Sequence, residues 1–109
     1  MTPIRIVFST IDSEEKAKTL AYQLVQENLA ACVSIVSSLT SIYRWKGAIE
    51  EAKEWLMVIK TSADRIPQLF ARLKELHPYE VPEIVSFPIE AAHEPYLQWV
   101  LHAGGVQGK

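Results

Sequence analysis

The length, composition and charge of this chain already exclude several classes of protein. With 109 residues, 49% of them hydrophobic and 22% charged, the chain is predicted to form one globular domain over residues 1–109, which excludes a disordered or fibrous protein. Its formal charge of -2 and its interleaved acidic and basic residues provide no basic surface, so we expect no binding to nucleic acid.

The chain opens with the pattern of a strand. Ile4, Ile6 and Phe8 alternate with Arg5 and Val7, which is the period of a strand with one face more apolar than the other.

A helix is predicted next, from about Ser13 to Glu27. Asp12 stands three residues before Glu15, an arrangement that favours a capping box at the helix start. Asn28 tolerates a positive φ and is predicted to end the helix. The apolar stripe of this helix consists of Ala17, Leu20, Ala21, Leu24 and Val25.

A long two-stranded hairpin follows and is predicted to turn near Gly47. Its strands run from Ala31 to Trp45 and from Ile49 to Thr61, and the alternation breaks at Ser37-Ser38, where we expect a bulge. At about 3.3 Å per residue the first strand would reach roughly 45 to 50 Å, whereas a compact domain of this size is about 30 to 35 Å across. The hairpin must therefore overhang the core, and its exposed edges predict a homo-oligomer.

The rest of the chain predicts a helix, a strand and a helix. The second helix is capped by Ser62 or Asp64 and carries Pro67 in its first turn. A strand from Glu83 to Ile89 is expected at a sheet edge because Pro88 lacks an N–H. The third helix opens at Pro95. The third helix is predicted to end at Gly104-Gly105, before a loose tail over residues 104–109. The apolar positions are Ile66, Leu69, Phe70, Leu73 and Leu76 in the second helix and Tyr96, Leu97, Val100 and Leu101 in the third.

This order of elements predicts an α+β fold. Two helices fall between four strands, so right-handed crossovers place both helices on one face of an antiparallel sheet. The result is a ferredoxin-like βαββαβ plait with a long hairpin between its second and third strands and an extra C-terminal helix.

The connection after the second helix concentrates the unusual chemistry of the chain. Pro78 and Pro82 restrict the backbone between them, so an imidazole, a phenol and two carboxylates are held on a stiff segment: His77, Tyr79, Glu80 and Glu83. One interpretation is a site for a metal or a small anion. The other is a stiff helix-to-strand connection whose polar groups face water.

Several motifs in series resemble one known family. They are Asn28-Leu29-Ala30-Ala31-Cys32-Val33, Thr40-Ser41-Ile42-Tyr43-Arg44-Trp45-Lys46-Gly47, Ile59-Lys60-Thr61, Glu75-Leu76-His77-Pro78-Tyr79-Glu80-Val81-Pro82-Glu83-Ile84 and Tyr96-Leu97-Gln98-Trp99. Together they span nearly the whole chain and resemble the CutA family of divalent-cation tolerance proteins. The resemblance implies a homotrimer of ferredoxin-like subunits with interlocking hairpins, and a non-enzymatic protein linked to tolerance of copper and other divalent cations.

The resemblance also supplies a candidate metal ligand, His77. Family members to which copper ligation is attributed have a cysteine where this chain has Ser9 and a histidine where it has Leu76, so only His77 of that triad is present. A single neutral imidazole is a weak ligand for copper or another divalent cation. The alternative for His77 is a capping or solvent-facing histidine at the end of the second helix.

Other residues are candidates for an inter-subunit cleft or interface. Aromatic side chains with a polar tip are common at interfaces, and four of those in the motifs above are the candidates: Tyr43, Trp45, Tyr79 and Trp99. Lys60 and Glu83 are predicted to face each other across the sheet, in such a cleft or as an ordinary ion pair. The run Glu50-Glu51-Ala52-Lys53-Glu54 reads as a solvated flank of the hairpin.

The cysteine content and the hydropathy of the chain indicate the cellular compartment in which it works. Cys32 is the one cysteine, so no internal disulfide forms, which is typical of a reducing compartment. It is predicted to be a small buried hydrophobe, with a soft metal donor as the alternative. No apolar run approaches the ~20 residues of a membrane span, so we expect a cytoplasmic protein without membrane contact.

Two specific functions remain open from the sequence, beside a third possibility, a scaffold that binds other proteins. No nucleophile elbow, phosphate-binding glycine loop or zinc-protease helix is present, so we expect no enzyme. The first hypothesis is a homotrimer that binds copper or another divalent cation near His77 and carboxylates at the subunit edge. The second is a trimeric small-molecule sensor resembling the nitrogen-regulatory signal proteins, with its ligand in an inter-subunit cleft.

Overall fold

The element order of the computed structural model, which describes residues 1–103, confirms the predicted plait with its extra helix. A short 3-10 turn, Ala63–Arg65, precedes the second helix. The strands are β1 (Ile4–Ile11), β2 (Cys32–Trp45), β3 (Ala48–Ser62) and β4 (Val85–Pro88), and the helices are α1 (Glu14–Gln26), α2 (Ile66–Leu76) and α3 (Glu94–His102).

The four strands form one antiparallel sheet in the order β2-β3-β1-β4. The edge position of β4 is confirmed, but the strand is shorter than the predicted Glu83 to Ile89. Its ladder with β1 starts at the pair Phe8 and Val85, because the next free carbonyl along β1, that of Thr10, is taken by the His77 ring.

The two faces of β1 contact different helices. Val7, Ser9 and Ile11 are fully buried beneath α1 and α2 in the larger cluster of core side chains or beside it. Ile4 lies on the other face and packs against Val100 of α3. The larger cluster consists of Val7, Ile11, Ala17, Leu20, Leu24, Leu29, Ala30, Met57, Ile59, Leu69 and Leu73.

The start of α1 differs by one residue from the prediction. Ser13, not Asp12, is the N-cap, and its hydroxyl accepts a hydrogen bond from the Lys16 amide at 3.0 Å. Asp12 instead pairs with the Lys16 ammonium at 3.3 Å. The predicted stop at Asn28 is confirmed by its φ of 62°.

The start of α2 also differs from the prediction. The Ser62 hydroxyl bonds to the Asp64 carboxylate and caps no helix amide, because a 3-10 turn, which contains Asp64, lies between Ser62 and the first turn of α2. Pro67 lies in that first turn, as predicted. The predicted end of α3 at Gly104-Gly105 and the predicted tail lie outside the described residues.

The hairpin of β2 and β3 overhangs the core, as predicted. The bulge falls between Val36 and Leu39, with Ser38 at φ 59°, and the turn uses Lys46 and Gly47, both with positive φ. The last pair between β1 and β3 is Ile11 with Trp55, so residues 39–54 pair only with one another. We call residues 39–54 the ribbon. It accounts for the elongated shape of 45 × 26 × 24 Å.

No helix within residues 1–103 combines the length and the apolar character that a membrane crossing requires.

Candidate functional site

The connection between α2 and β4 is attached to the sheet through His77. Its imidazole is buried, with 6% of the residue exposed, so the solvent-facing alternative is wrong. His77 Nε2 lies 2.8 Å from the Thr10 carbonyl oxygen, and the Tyr79 amide lies 3.1 Å from His77 Nδ1.

These two contacts determine the tautomer of His77. A carbonyl oxygen only accepts hydrogen bonds, so Nε2 carries the proton and donates, whereas Nδ1 accepts from the Tyr79 N–H. Both ring nitrogens of the neutral imidazole are therefore used within the subunit. Ligation of a metal by His77 stays a prediction, and it requires one of these two hydrogen bonds to be given up.

Tyr79 continues this network to the base of the ribbon. Its ring meets the His77 ring edge to face at 4.6 Å, and its hydroxyl donates to Glu54 Oε2 at 2.7 Å. Burial, followed by the hydrogen bond to the Glu54 carboxylate, raises the pKa of Tyr79. The phenol is therefore a stable proton donor at neutral pH.

The corner between the ribbon and this connection encloses an open cavity of about 770 Å³. The cavity brings together four of the residues predicted at a cleft or interface: Tyr43, Trp45, Tyr79 and Glu83. The complete lining within residues 1–103 is Thr10, Asp12, Ser41, Ile42, Tyr43, Trp45, Ala52, Glu54, Tyr79, Glu80, Val81 and Glu83.

Lys60 lies elsewhere on the sheet. Its ammonium contacts the Ser34 hydroxyl and lies 3.9 Å from Cys32 Sγ, and its cross-strand partners are Ile6 and Cys32. None of the ion pairs within residues 1–103 includes Lys60. The predicted pairing of Lys60 with Glu83 is therefore not formed inside one subunit. Cys32 is a free thiol and is half-buried, not fully buried as predicted.

Trp99 is also remote from the cavity. It lies on α3, where it packs against the small cluster of Ile4, Ala31 and Val100. Its ring lies 5.7 Å from that of Tyr96. The structure thus places Trp99 at the opposite end of β1 from Thr10.

The residue that sequence reasoning missed is Glu54. It was assigned to the solvated run of the hairpin, and that assignment is wrong, because Glu54 is only 6% exposed. The strand period carried a signal, since Glu54 shares a face of β3 with Leu56 and Val58. Of the other carboxylates that line the cavity, Glu80 belongs to the stiff segment that was interpreted as a candidate site, whereas Asp12 was not assigned to a site from the sequence.

The donor groups do not form a ready-made metal site within one subunit. Nowhere in residues 1–103 do three or more His, Cys, Asp or Glu side chains converge closely enough to hold a metal ion. Ser9, at the position of the family's cysteine, is fully buried, and its hydroxyl has no hydrogen-bond partner in this part of the chain.

Comparison with known proteins identifies relatives over almost the full chain. The family described as CutA1 divalent ion tolerance protein matches residues 5–103. The divalent-cation tolerance protein CutA of Thermus thermophilus is 52% identical over 95 residues, which cover 87% of this chain and 92% of that protein. The human protein CutA is 45% identical over 97 residues, or 89% of this chain. The chain spans about half of the human relative, 54% of its length.

Solved structures agree with this assignment. The divalent cation tolerance protein from Thermus thermophilus superposes with a TM-score of 0.89 at 49% identity, covering 94% of this chain and 99% of that one. The periplasmic divalent cation tolerance protein CutA from Archaeoglobus fulgidus gives a TM-score of 0.90 at 31% identity, covering 94% and 99%. The network of His77, Tyr79 and Glu54 is therefore part of a CutA fold, and the chain belongs to the CutA1 divalent ion tolerance protein family.

Proposed function

We propose that this protein is a non-enzymatic homotrimer that binds copper or another divalent cation at the junctions between its subunits. The observation that carries the proposal is the ribbon, which leaves its own subunit with large apolar side chains uncovered. Ile42 and Ile49 are 70% and 69% exposed, and Tyr43 and Trp45 are also exposed. A two-stranded ribbon with such side chains is marginal in water unless another surface covers it.

A second uncovered surface supports self-association. The sheet face opposite α1 and α2 has Phe8 beside Val58 and Val85, and Phe87 packs edge to face on Phe8 at 4.9 Å. Val85 and Phe87 are 48% and 38% exposed. A sister subunit seated on this face and on the ribbon buries both apolar surfaces at once.

Light scattering on the full chain tests the assembly. We expect three times the subunit mass of 12.3 kDa. Ile42→Lys places a charge on the ribbon and is expected to dissociate the assembly. Val25→Lys is the matched control, since Val25 is an exposed apolar residue on α1, 42% exposed, and its variant keeps the mass. A monomer mass for the unmodified chain at micromolar concentration contradicts the proposal.

The metal part of the proposal rests on the family description and on where carboxylates lie. Because the donors of a single subunit do not converge, we propose that the cation takes donors from two copies of the chain. The carboxylates around the cavity supply oxygen donors. His77 supplies a nitrogen donor in a form in which the Tyr79 amide has left Nδ1.

Calorimetric titration with Cu²⁺ tests this role of His77. Gln at position 77 keeps a donor for the Thr10 carbonyl but is a poor copper ligand, so we expect His77→Gln to weaken copper binding while the assembly stays intact. His93→Gln is the control, because His93 is exposed at the start of α3. Unchanged copper binding in His77→Gln removes His77 from the proposal and leaves the carboxylates.

The cavity favours a second candidate function, a trimeric small-molecule sensor resembling the nitrogen-regulatory signal proteins. Its volume of about 770 Å³ is larger than a metal ion needs and matches the size of small-molecule sites, and its lining includes aromatic side chains. A neighbouring subunit on the adjacent sheet face would close its open side.

We propose a cytoplasmic location, supported by the unpaired thiol of Cys32. Relatives are named or titled for other compartments, including the periplasm and the chloroplast, and cell fractionation with an antibody decides between them.

A further inference from the structure

The cavity beside the ribbon has an unusual charge balance. Four carboxylates line it, and none of its lining residues within residues 1–103 is Lys, Arg or His. Asp12 is paired from outside by Lys16 at 3.3 Å. The carboxylates of Glu54, Glu80 and Glu83 form no ion pair with any residue that the structure describes.

Glu54 is the sharpest sign that a cation belongs here. It is more than nine-tenths buried and lines the cavity. Its Oε2 accepts the Tyr79 hydroxyl, which is neutral, and no donor within residues 1–103 bonds to Oε1. Buried charged groups in proteins are normally paired with an opposite charge, and a cation bound at Oε1 gives the Glu54 carboxylate such a partner.

The spacing of the carboxylates argues against a single metal ion inside this subunit. They share one cavity, yet no three acidic, His or Cys groups among residues 1–103 converge on one point. Negative charge spread over a cavity of about 770 Å³ matches a ligand whose positive charges are also separated.

The other lining groups fit the body of such a ligand. Tyr43, Trp45 and Tyr79 offer aromatic rings, which attract ammonium groups through their faces. The chain already shows this contact once, since the Lys46 ammonium lies 5.7 Å from the centroid of the Trp45 ring. Val81, exposed to 67%, provides apolar surface for methylene groups.

We propose that this cavity binds an alkyl diammonium ion, a ligand of the diamine and polyamine class. Glu54 holds one ammonium at the inner wall, Glu80 and Glu83 face the other, and the aromatic rings contact the chain between them. The inference rests on the small-molecule function proposed above and names the ligand class for that cavity.

Calorimetric titration of the protein with 1,4-diaminobutane at low salt tests the proposal. Glu54→Gln keeps an acceptor for the Tyr79 hydroxyl but removes the charge, so we expect affinity to fall about tenfold or more. Glu51→Gln is the matched control, because Glu51 is an exposed ribbon carboxylate outside the lining, and its affinity stays within about twofold. Equal loss in both variants would mean general charge attraction and would overturn the proposal.

Three further titrations test which class of ligand the cavity binds. Tyr43→Leu is expected to weaken diamine binding about two- to fivefold, since it removes one aromatic face. Mg²⁺ at equal ionic strength is expected to compete poorly, and the neutral 1,4-butanediol is expected not to bind. If Mg²⁺ displaces the diamine at equal concentration, the cavity recognises only positive charge and the proposal is wrong.

The outcome is independent of the proposed assembly and metal function. A trimer mass with copper binding but no diamine binding overturns this inference alone. Diamine binding by a protein of monomer mass overturns the proposed assembly and leaves the ligand class standing.

Discussion

The two ends of the same hairpin differ in what covers them. In the body of the sheet, Met57 and Ile59 of β3 are completely buried beneath α1 and α2, whereas Ile49, further along the same strand, is 69% exposed. The change falls at the bulge between Val36 and Leu39, next to the last pairing of β1 with β3. An apolar residue on a strand therefore contributes to the core in one half of the hairpin and stays exposed in the other.

The largest expected effect is a loss of stability in the half of the hairpin that packs against α1 and α2. Ile59→Ala removes a fully buried side chain from the larger core cluster, and we expect the free energy of unfolding to fall by about 2 to 5 kcal/mol. Denaturation in guanidinium chloride measures this loss. Ile49→Ala is the same substitution on the ribbon, and it should leave the unfolding of a dissociated subunit within about 0.5 kcal/mol. Similar losses in both would refute the contrast between the two halves.

A smaller effect is expected at the junction of the two halves. Tyr79→Phe removes the one donor to the buried carboxylate of Glu54 within residues 1–103, so we expect a loss of about 1.5 to 3 kcal/mol in the free energy of unfolding. Tyr22→Phe serves as control, because Tyr22 is 71% exposed. A loss in Tyr79→Phe no larger than in Tyr22→Phe would show that the hydroxyl contributes nothing to holding the connection on the ribbon.

The Tyr79 hydroxyl also predicts that the free energy of unfolding depends on pH in the alkaline range. The folded pKa of Tyr79 lies above its ordinary value of 10.0, so its contribution to stability is complete below pH 10 and is lost as the pH rises from there towards the folded pKa. Tyr96 acts in the same direction, since burial and the nearby Cys32 raise its pKa. The unfolding difference between wild type and Tyr79→Phe should therefore shrink above pH 10. A constant difference up to pH 11.5 would contradict this origin.

The smallest effect is a gain in stability. The Ser9 hydroxyl is fully buried on the helix-facing side of β1 and has no hydrogen-bond partner within residues 1–103. Ser9→Ala removes this unsatisfied group, and we expect thermal unfolding to show a stabilisation of up to about 1 kcal/mol. Thr61→Ala is the contrast, because the buried Thr61 hydroxyl donates to the Leu29 carbonyl at 2.7 Å and its loss should destabilise. A stability loss in Ser9→Ala would mean that its hydroxyl has a partner in the folded protein.

Much of the fold was predictable because the hydrophobic period and the residues that favour turns, bulges and helix ends agreed along the chain. The turn at Gly47, the bulge at Ser37-Ser38 and the stop at Asn28 each follow from local backbone preference, and the structure confirms them. The face of β1 that enters the main core was not resolved by the pattern. Both faces carry apolar residues, because α3 covers Ile4 on the side opposite α1 and α2.

The site was predictable only in part. Tyr43, Trp45, Tyr79 and Glu83 do meet in one cavity, since the connection after α2 lies beside the ribbon that carries Tyr43 and Trp45. The strand period indicated the face on which Glu54 lies, but its hydrogen bond with Tyr79, 25 positions away in sequence, could not be read from a local pattern. His77 and the Thr10 carbonyl that it contacts are also far apart in sequence. The residue type of His77 indicated a metal ligand, and only the fold shows that both of its ring nitrogens form hydrogen bonds within the chain.

The brevity of β4 has a consequence for how copies of this chain add to one another. It offers only Val85–Pro88 at the free edge of the sheet, and Pro88 has no N–H to give to an incoming strand. Stacking of sheets edge to edge through this side is therefore unfavourable, and growth into fibres is blocked there. The proposed assembly therefore uses the apolar sheet face and the ribbon instead of this edge, and a closed ring of few subunits leaves neither of those surfaces open.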